Sequence, residues 1–125
     1  MSELGFYERM ERALAAGDTD PQTALTSSRA RLDQLQARYH QEARNPSSFA
    51  AVWLANVELI LAMAVDRMLV CRVNGDELGL AEEDLRAQAI AAALDKANSA
   101  LGSLDRRAAL AALDACWAML RDAVP

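Results

Sequence analysis

The stretch from residue 48 to residue 73 constrains the fold more than any other part of the chain. Its apolar residues face nearly every direction around a helix, at about 100° per residue, and its polar residues do not gather on one side. A helix of this kind is covered by neighbours on several sides. The sequence therefore predicts that this helix is the centre of the structure, or of a dimer.

Charged residues within this helix and at the start of the chain indicate where in the cell the protein is found. Glu58, Asp66, Arg67 and Arg72 interrupt it, whereas a bilayer-spanning helix needs about 20 mostly apolar residues. The first residues, MSELGFYERMER, contain acids and lack the uncharged apolar run of a signal peptide. We therefore expect a cytoplasmic protein with no membrane contact. Arginine supplies nearly all of the basic residues, which is typical of a GC-rich bacterial genome.

Start and stop signals predict four further helices. Asp20-Pro21 is a helix cap followed by proline at the first helical position, and Asn45-Pro46 ends the same helix. Matched lengths and short connections favour antiparallel neighbours. The sequence predicts a single all-α domain over residues 1–125, an up-down-up-down four-helix bundle preceded by a short N-terminal helix. The predicted helices cover about residues 3–16, 21–44, 48–73, 81–101 and 104–123.

The chain lacks a recognisable catalytic or metal-binding motif. His40 is the only histidine, and no glutamate precedes it by three residues, as a bundle metal site would require. Residues 74–85 resemble a calcium loop in part, but leucine occupies the fifth and twelfth positions. Cys71 and Cys116 lie in apolar helical patterns, where cysteine packs as a small hydrophobe. We predict no catalytic residue, metal or cofactor.

Glu58 and Asp66 are the most informative polar residues, because acids on an otherwise apolar helix must be paired or reach water. One interpretation is structural ion pairs with Arg31 or Arg38 of the second helix, or with Arg106 or Arg107 of the fifth. The other is a polar pocket between helices that holds a small ligand or an acid–base pair.

Arginines 29, 31, 38 and 44 give the second helix a basic bias that a phosphate-binding stripe would share. The net charge of −5 and the lack of interleaved aromatic residues disfavour nucleic acid as a partner.

The remaining apolar surface indicates protein contacts. The first helix is amphipathic and short enough to need a docking surface, and the central helix has more apolar circumference than three neighbours cover. We predict a non-enzymatic protein that acts through contacts with a protein partner or itself, as a homodimer, adaptor or small chaperone. The alternative is a small-molecule-binding domain or enzyme around Glu58 and Asp66. The predicted interface residues are Phe6, Tyr7, Met10, Leu14, Trp53 and Met63.

Overall fold

The computed structural model describes residues 3–121, with side chains from residue 8 onward, and this part of the chain contains helices and no strands. A short N-terminal helix precedes four packed helices, which confirms the predicted fold class. The side chains of Phe6 and Tyr7, two of the predicted interface residues, lie outside the described part of the chain. The predicted helix end near residue 123 also lies outside it. The helices are α1 (Glu3–Ala16), α2 (Pro21–Arg44), α3 (Phe49–Asn74), α4 (Glu77–Gly102) and α5 (Arg106–Arg121).

α3 is the central helix, as the spread of its apolar residues around the helix predicts. It packs against α2 on one side and against the α4–α5 hairpin on the other, and Ile60 and Leu69 are fully buried. Among the described residues, α2 reaches α5 chiefly through the rings of Tyr39 and Trp117, whose centroids lie 5.8 Å apart. Most of the packing therefore joins helices that are neighbours in sequence.

α1 docks on its own chain. Met10 is only 9% exposed and packs with Leu25 of α2 and with Val65 and Leu69 of α3. The guanidinium of Arg72 donates to the carboxylate of Glu11, and this ion pair ties α1 to the last turns of α3. Two of the residues that the sequence suggested as an interface, Met10 and Leu14, thus contribute to the intramolecular core.

The start of α4 differs from the prediction. The helix begins at Glu77, four residues before the predicted position 81, because Asp76 caps it by accepting a hydrogen bond from the Gly79 N–H at 2.9 Å. A β-carbon at position 79 would lie 2.2 Å from the Asp76 carboxylate. Glycine has a low helix propensity, and the hydrogen bond from its N–H to Asp76 supports the start of the helix despite it.

The start of α5 also differs slightly, at Arg106 rather than near 104. Leu104 has a φ of +62°, in the left-handed region, and so belongs to the turn rather than to the helix. Asp105 caps α5 by accepting a hydrogen bond from the Ala108 N–H at 3.0 Å.

α3 is the one described helix long and apolar enough, by length and composition, to cross a membrane. Less than half of the most apolar stretch is buried within the fold. A helix that is apolar on all sides is either a core helix or a membrane span, and in this structure four other helices contact it.

The cap of α2 makes a pH-dependent contribution to stability. Asp20 accepts hydrogen bonds from the Thr23 N–H at 2.8 Å and the Thr23 hydroxyl at 2.9 Å, and these bonds lower the pKa of Asp20. A lowered pKa in the folded state means that this contribution is present above the unfolded pKa, about 3.9, and is lost as the pH falls through the folded value. We expect Asp20→Ala to lower the urea midpoint at pH 7, with a smaller difference from the parent at pH 3.

Asp20→Ser provides the control, because serine caps a helix without a titrating carboxylate. It should keep the midpoint near the parent value at pH 7. Equal losses for Asp20→Ala at both pH values would contradict a role for the ionised carboxylate.

Candidate functional site

An open apolar groove lies at the end of the bundle where α3 and α5 begin and α4 ends. Its volume is about 380 Å³, and its walls are mainly apolar. Because the connections before α3 and before α5 are short, the first turns of these two helices and the last turn of α4 share this end of the bundle. We call it the end groove, and its lining residues are Phe49, Ala50, Trp53, Leu54, Leu101, Leu104 and Arg106.

The helix caps position the aromatic wall of the end groove. The Ser48 hydroxyl accepts a hydrogen bond from the Ala51 N–H at 3.0 Å, which starts α3 at Phe49. Phe49 and Trp53 are four residues apart and share a helix face. Their rings stack with centroids 6.3 Å apart, and the Arg106 guanidinium lies 4.5 Å from the centre of the Phe49 ring. A cation over an aromatic face is attracted by the ring quadrupole, so α5 is held against α3 here.

Leu104 departs from two rules at once. It occupies the left-handed position that ends α4, where glycine or asparagine is the usual residue, and a leucine there costs about 1–2 kcal/mol. Its side chain is also 90% exposed, beside the half-exposed Leu54. Backbone strain and exposed apolar groups tend to collect at functional sites. Among the residues that line the end groove, Leu104 is thus the one whose conformation and exposure contribute least to the stability of the fold.

The charge around the end groove is positive. Arg106 and Arg107 are exposed in the first turn of α5, and Arg44 is exposed in the last turn of α2 at the same end of the bundle. Asp105 and Glu42 also lie at this end, and their hydrogen-bond donors are neutral groups of Ala108 and Ser47. Three arginines against these two acids leave a local excess of one positive charge. An apolar groove with a basic rim results on a chain whose net charge is −5.

The structure places the four predicted interface residues that have described side chains in three locations. Trp53 is buried and forms part of the end-groove wall. Met63 is half-buried deeper in the bundle, where it and Trp117 pack against the same buried residues. Met10 and Leu14 are on the inner side of α1, at the opposite end of the bundle. Sequence reasoning missed Leu104. A leucine between Gly102-Ser103 and Asp105, in a connection where polar residues are usual, was the available signal.

Glu58 and Asp66 are held separately. Glu58 pairs with Arg38 at 3.1 Å, one of the partners expected from the sequence, and Asp66 pairs with Arg29 at 3.2 Å. Their Cα positions are eight residues apart on one helix, which is about 12 Å. Each carboxylate thus has its own arginine from α2, an arrangement that joins α2 to the central helix.

The histidine, cysteine and other acidic side chains do not form a catalytic arrangement among the described residues. Among residues with described side chains, no three histidine, cysteine or acidic residues converge on a metal site. His40 is exposed, with its ring against the edge of Tyr39. Burial raises the pKa of the Cys116 thiol. Burial also raises that of Cys71, to which the carboxylates of Asp76 and Glu83 add. Neither thiol is therefore activated as a thiolate nucleophile.

Comparison with known proteins identified no relative of this chain. Searches with the whole chain found no matching family model, no matching curated protein and no matching solved structure.

Proposed function

We propose that this protein is a non-enzymatic, cytoplasmic helical domain that acts through protein contacts, and that the end groove binds an acidic amphipathic segment of a partner protein. The observation that carries the proposal is Leu104, a strained and almost fully exposed leucine on the rim of an apolar groove. Its left-handed conformation costs stability and its exposed side chain contributes none, so a binding partner that covers the side chain would offset the cost.

The chemistry of the groove specifies the partner. Phe49, Trp53 and Leu101 supply an apolar lining suited to the apolar face of a helix. Arg106, Arg107 and Arg44 favour acidic groups at the edges of that face, because complementary charges speed association and reject basic competitors. A second copy bound groove to groove would bring these arginines together, so the charge argues for a different protein at this site.

The proposal is tested with a synthetic amphipathic helix that carries leucines on one face and glutamates on the other. We expect micromolar binding, read as a change in tryptophan fluorescence because Trp53 forms part of the groove. A peptide with lysine in place of every glutamate should bind at least tenfold more weakly. Equal binding of the two peptides would contradict the proposed basic rim.

Leu104→Asn separates binding from folding. Asparagine tolerates the left-handed conformation, so the free energy of unfolding should rise by about 1 kcal/mol. Burial of a leucine at an interface contributes about 1.5–3 kcal/mol, so peptide affinity should fall by at least tenfold. Leu110→Asn, at a partly exposed position of α5 outside the groove lining, should leave affinity unchanged. If Leu104→Asn bound the peptide as tightly as the parent, the end groove would not be the binding site.

A further inference from the structure

The outer face of α4 carries a second unpartnered apolar strip. Leu78 is 82% exposed and Leu85 is 67% exposed, although both lie on a helix whose opposite face packs Ile90 and Leu94 into the core. Four smaller or charged residues, all exposed, continue the line along the helix. We call this set the α4 strip, and its residues are Leu78, Glu82, Leu85, Ala89, Ala92 and Lys96.

The spacing of the α4 strip is that of a helix-pairing seam. Successive members are four, three, four, three and four residues apart, close to the 3.5-residue period that keeps a seam facing a partner helix. A shallow depression of about 460 Å³ runs beside it, lined by Leu85, Ala89 and Met119 among others. The strip therefore offers both a ridge and an adjoining groove to a second helix.

The charges on the α4 strip are arranged symmetrically about Ala89. Glu82 lies seven residues before Ala89, and Lys96, the only lysine in the chain, lies seven residues after it. When two copies of α4 pair antiparallel about Ala89, Glu82 of each copy faces Lys96 of the other. A parallel pair would place Glu82 against Glu82 and Lys96 against Lys96, which is unfavourable.

The apolar residues fit the same arrangement. Ala89 lies at the crossing point, where a small side chain lets two helices approach closely. Leu85 of one copy lies against Ala92 and Ala93 of the other, which leave room for it. Large and small residues thus alternate across the pair, as in packed helix interfaces.

We propose that the α4 strip is a self-association surface and that two copies of this chain pair antiparallel through it about a twofold axis near Ala89. The proposal is independent of the end groove. Leu101, at the groove, lies twelve residues from Ala89, about 18 Å along α4. A dimer of this kind leaves both grooves open.

Charge reversal tests the antiparallel pairing. Sedimentation velocity of the full chain should detect a dimer at concentrations up to 200 µM. Glu82→Lys alone and Lys96→Glu alone should each weaken dimerisation about tenfold, because each places two like-charge pairs in the symmetric interface. The double variant Glu82→Lys/Lys96→Glu should return to within about threefold of the parent. A parent that stays monomeric at 200 µM, singles that match the parent, or a double variant that is not restored would overturn the proposal.

Cross-linking locates the twofold axis directly. Cys71→Ser/Ala89→Cys should form a disulfide-linked dimer on mild oxidation, because the two introduced thiols meet at the axis, while Cys116 is fully buried. Cys71→Ser/Gln36→Cys, with its thiol on the exposed face of α2, should stay monomeric under the same conditions. Equal cross-linking of the two variants would place the contact elsewhere.

Discussion

Replacement of Trp117 by alanine should lower the free energy of unfolding by about 3–5 kcal/mol, the largest effect that we expect from any single substitution. The indole N–H donates to Asn56 Oδ1 at 3.0 Å, and the ring lies against Tyr39 of α2. The ring also packs against the cluster formed by Leu35 and Leu59. Trp117 is thus the side chain through which α2, α3 and α5 meet, and its removal leaves a cavity that these helices cannot easily close.

Urea denaturation followed by circular dichroism at 222 nm measures this loss. Trp117→Phe is the matched variant, because it keeps most of the ring and removes the N–H. It should lose about 1–3 kcal/mol, since the partly buried Asn56 oxygen is then without its donor. A loss below about 1 kcal/mol for Trp117→Ala would mean that α2 is held by α3 alone.

Replacement of Met10 by aspartate should detach α1 and leave the other four helices folded. Met10 is the most buried of the described α1 side chains, and a carboxylate among Leu25, Val65 and Leu69 would have no partner. α1 packs on α3 and on Leu25 of α2, and the Glu11–Arg72 ion pair adds a polar link to α3. Detachment should remove the helical signal of its 14 residues and uncover apolar surface on α3.

Amide hydrogen exchange distinguishes local detachment from global unfolding. In Met10→Asp, the amides of α1 should lose protection while those in the middle of α3 keep it. Arg12→Asp, an exposed position on the same helix, should keep α1 protected. Parent-like protection of α1 in Met10→Asp, or loss of protection throughout the chain, would contradict this description of α1.

Most of the helical architecture can be predicted from local signals. Asp20-Pro21 marks the start of α2, and the absence of a polar face identifies α3 as central. Ser47 and Ser48 are both candidate caps for α3 in the sequence, and the structure shows that Ser48 is the cap. The start of α4 could not be predicted correctly, because glycine usually weakens a helix. Asp76, three residues before this glycine, nevertheless caps the helix through the Gly79 N–H.

Less of the candidate site could be predicted from the sequence. Trp53 was predicted as a contact residue, but the exposure of Leu104 depends on how the α4–α5 turn projects from the bundle, which no periodicity encodes. The arginines that pair with the acids of α3 could also be predicted only in part. Arg38 was expected to pair with an acid of α3, whereas the choice of Arg29 for Asp66 depends on the rotation and offset of α2 against α3.

The sequential order of helix packing has a consequence for synthesis of the chain. α2 and α3 can pair as soon as both have left the ribosome, because their contacts are local. The face of α3 that later holds α4 and α5 stays uncovered until the next 47 or so residues are made, roughly 2–10 s at bacterial and eukaryotic elongation rates. During that interval the nascent chain exposes its most apolar helix to water, and a ribosome-associated chaperone would find its strongest binding segment there.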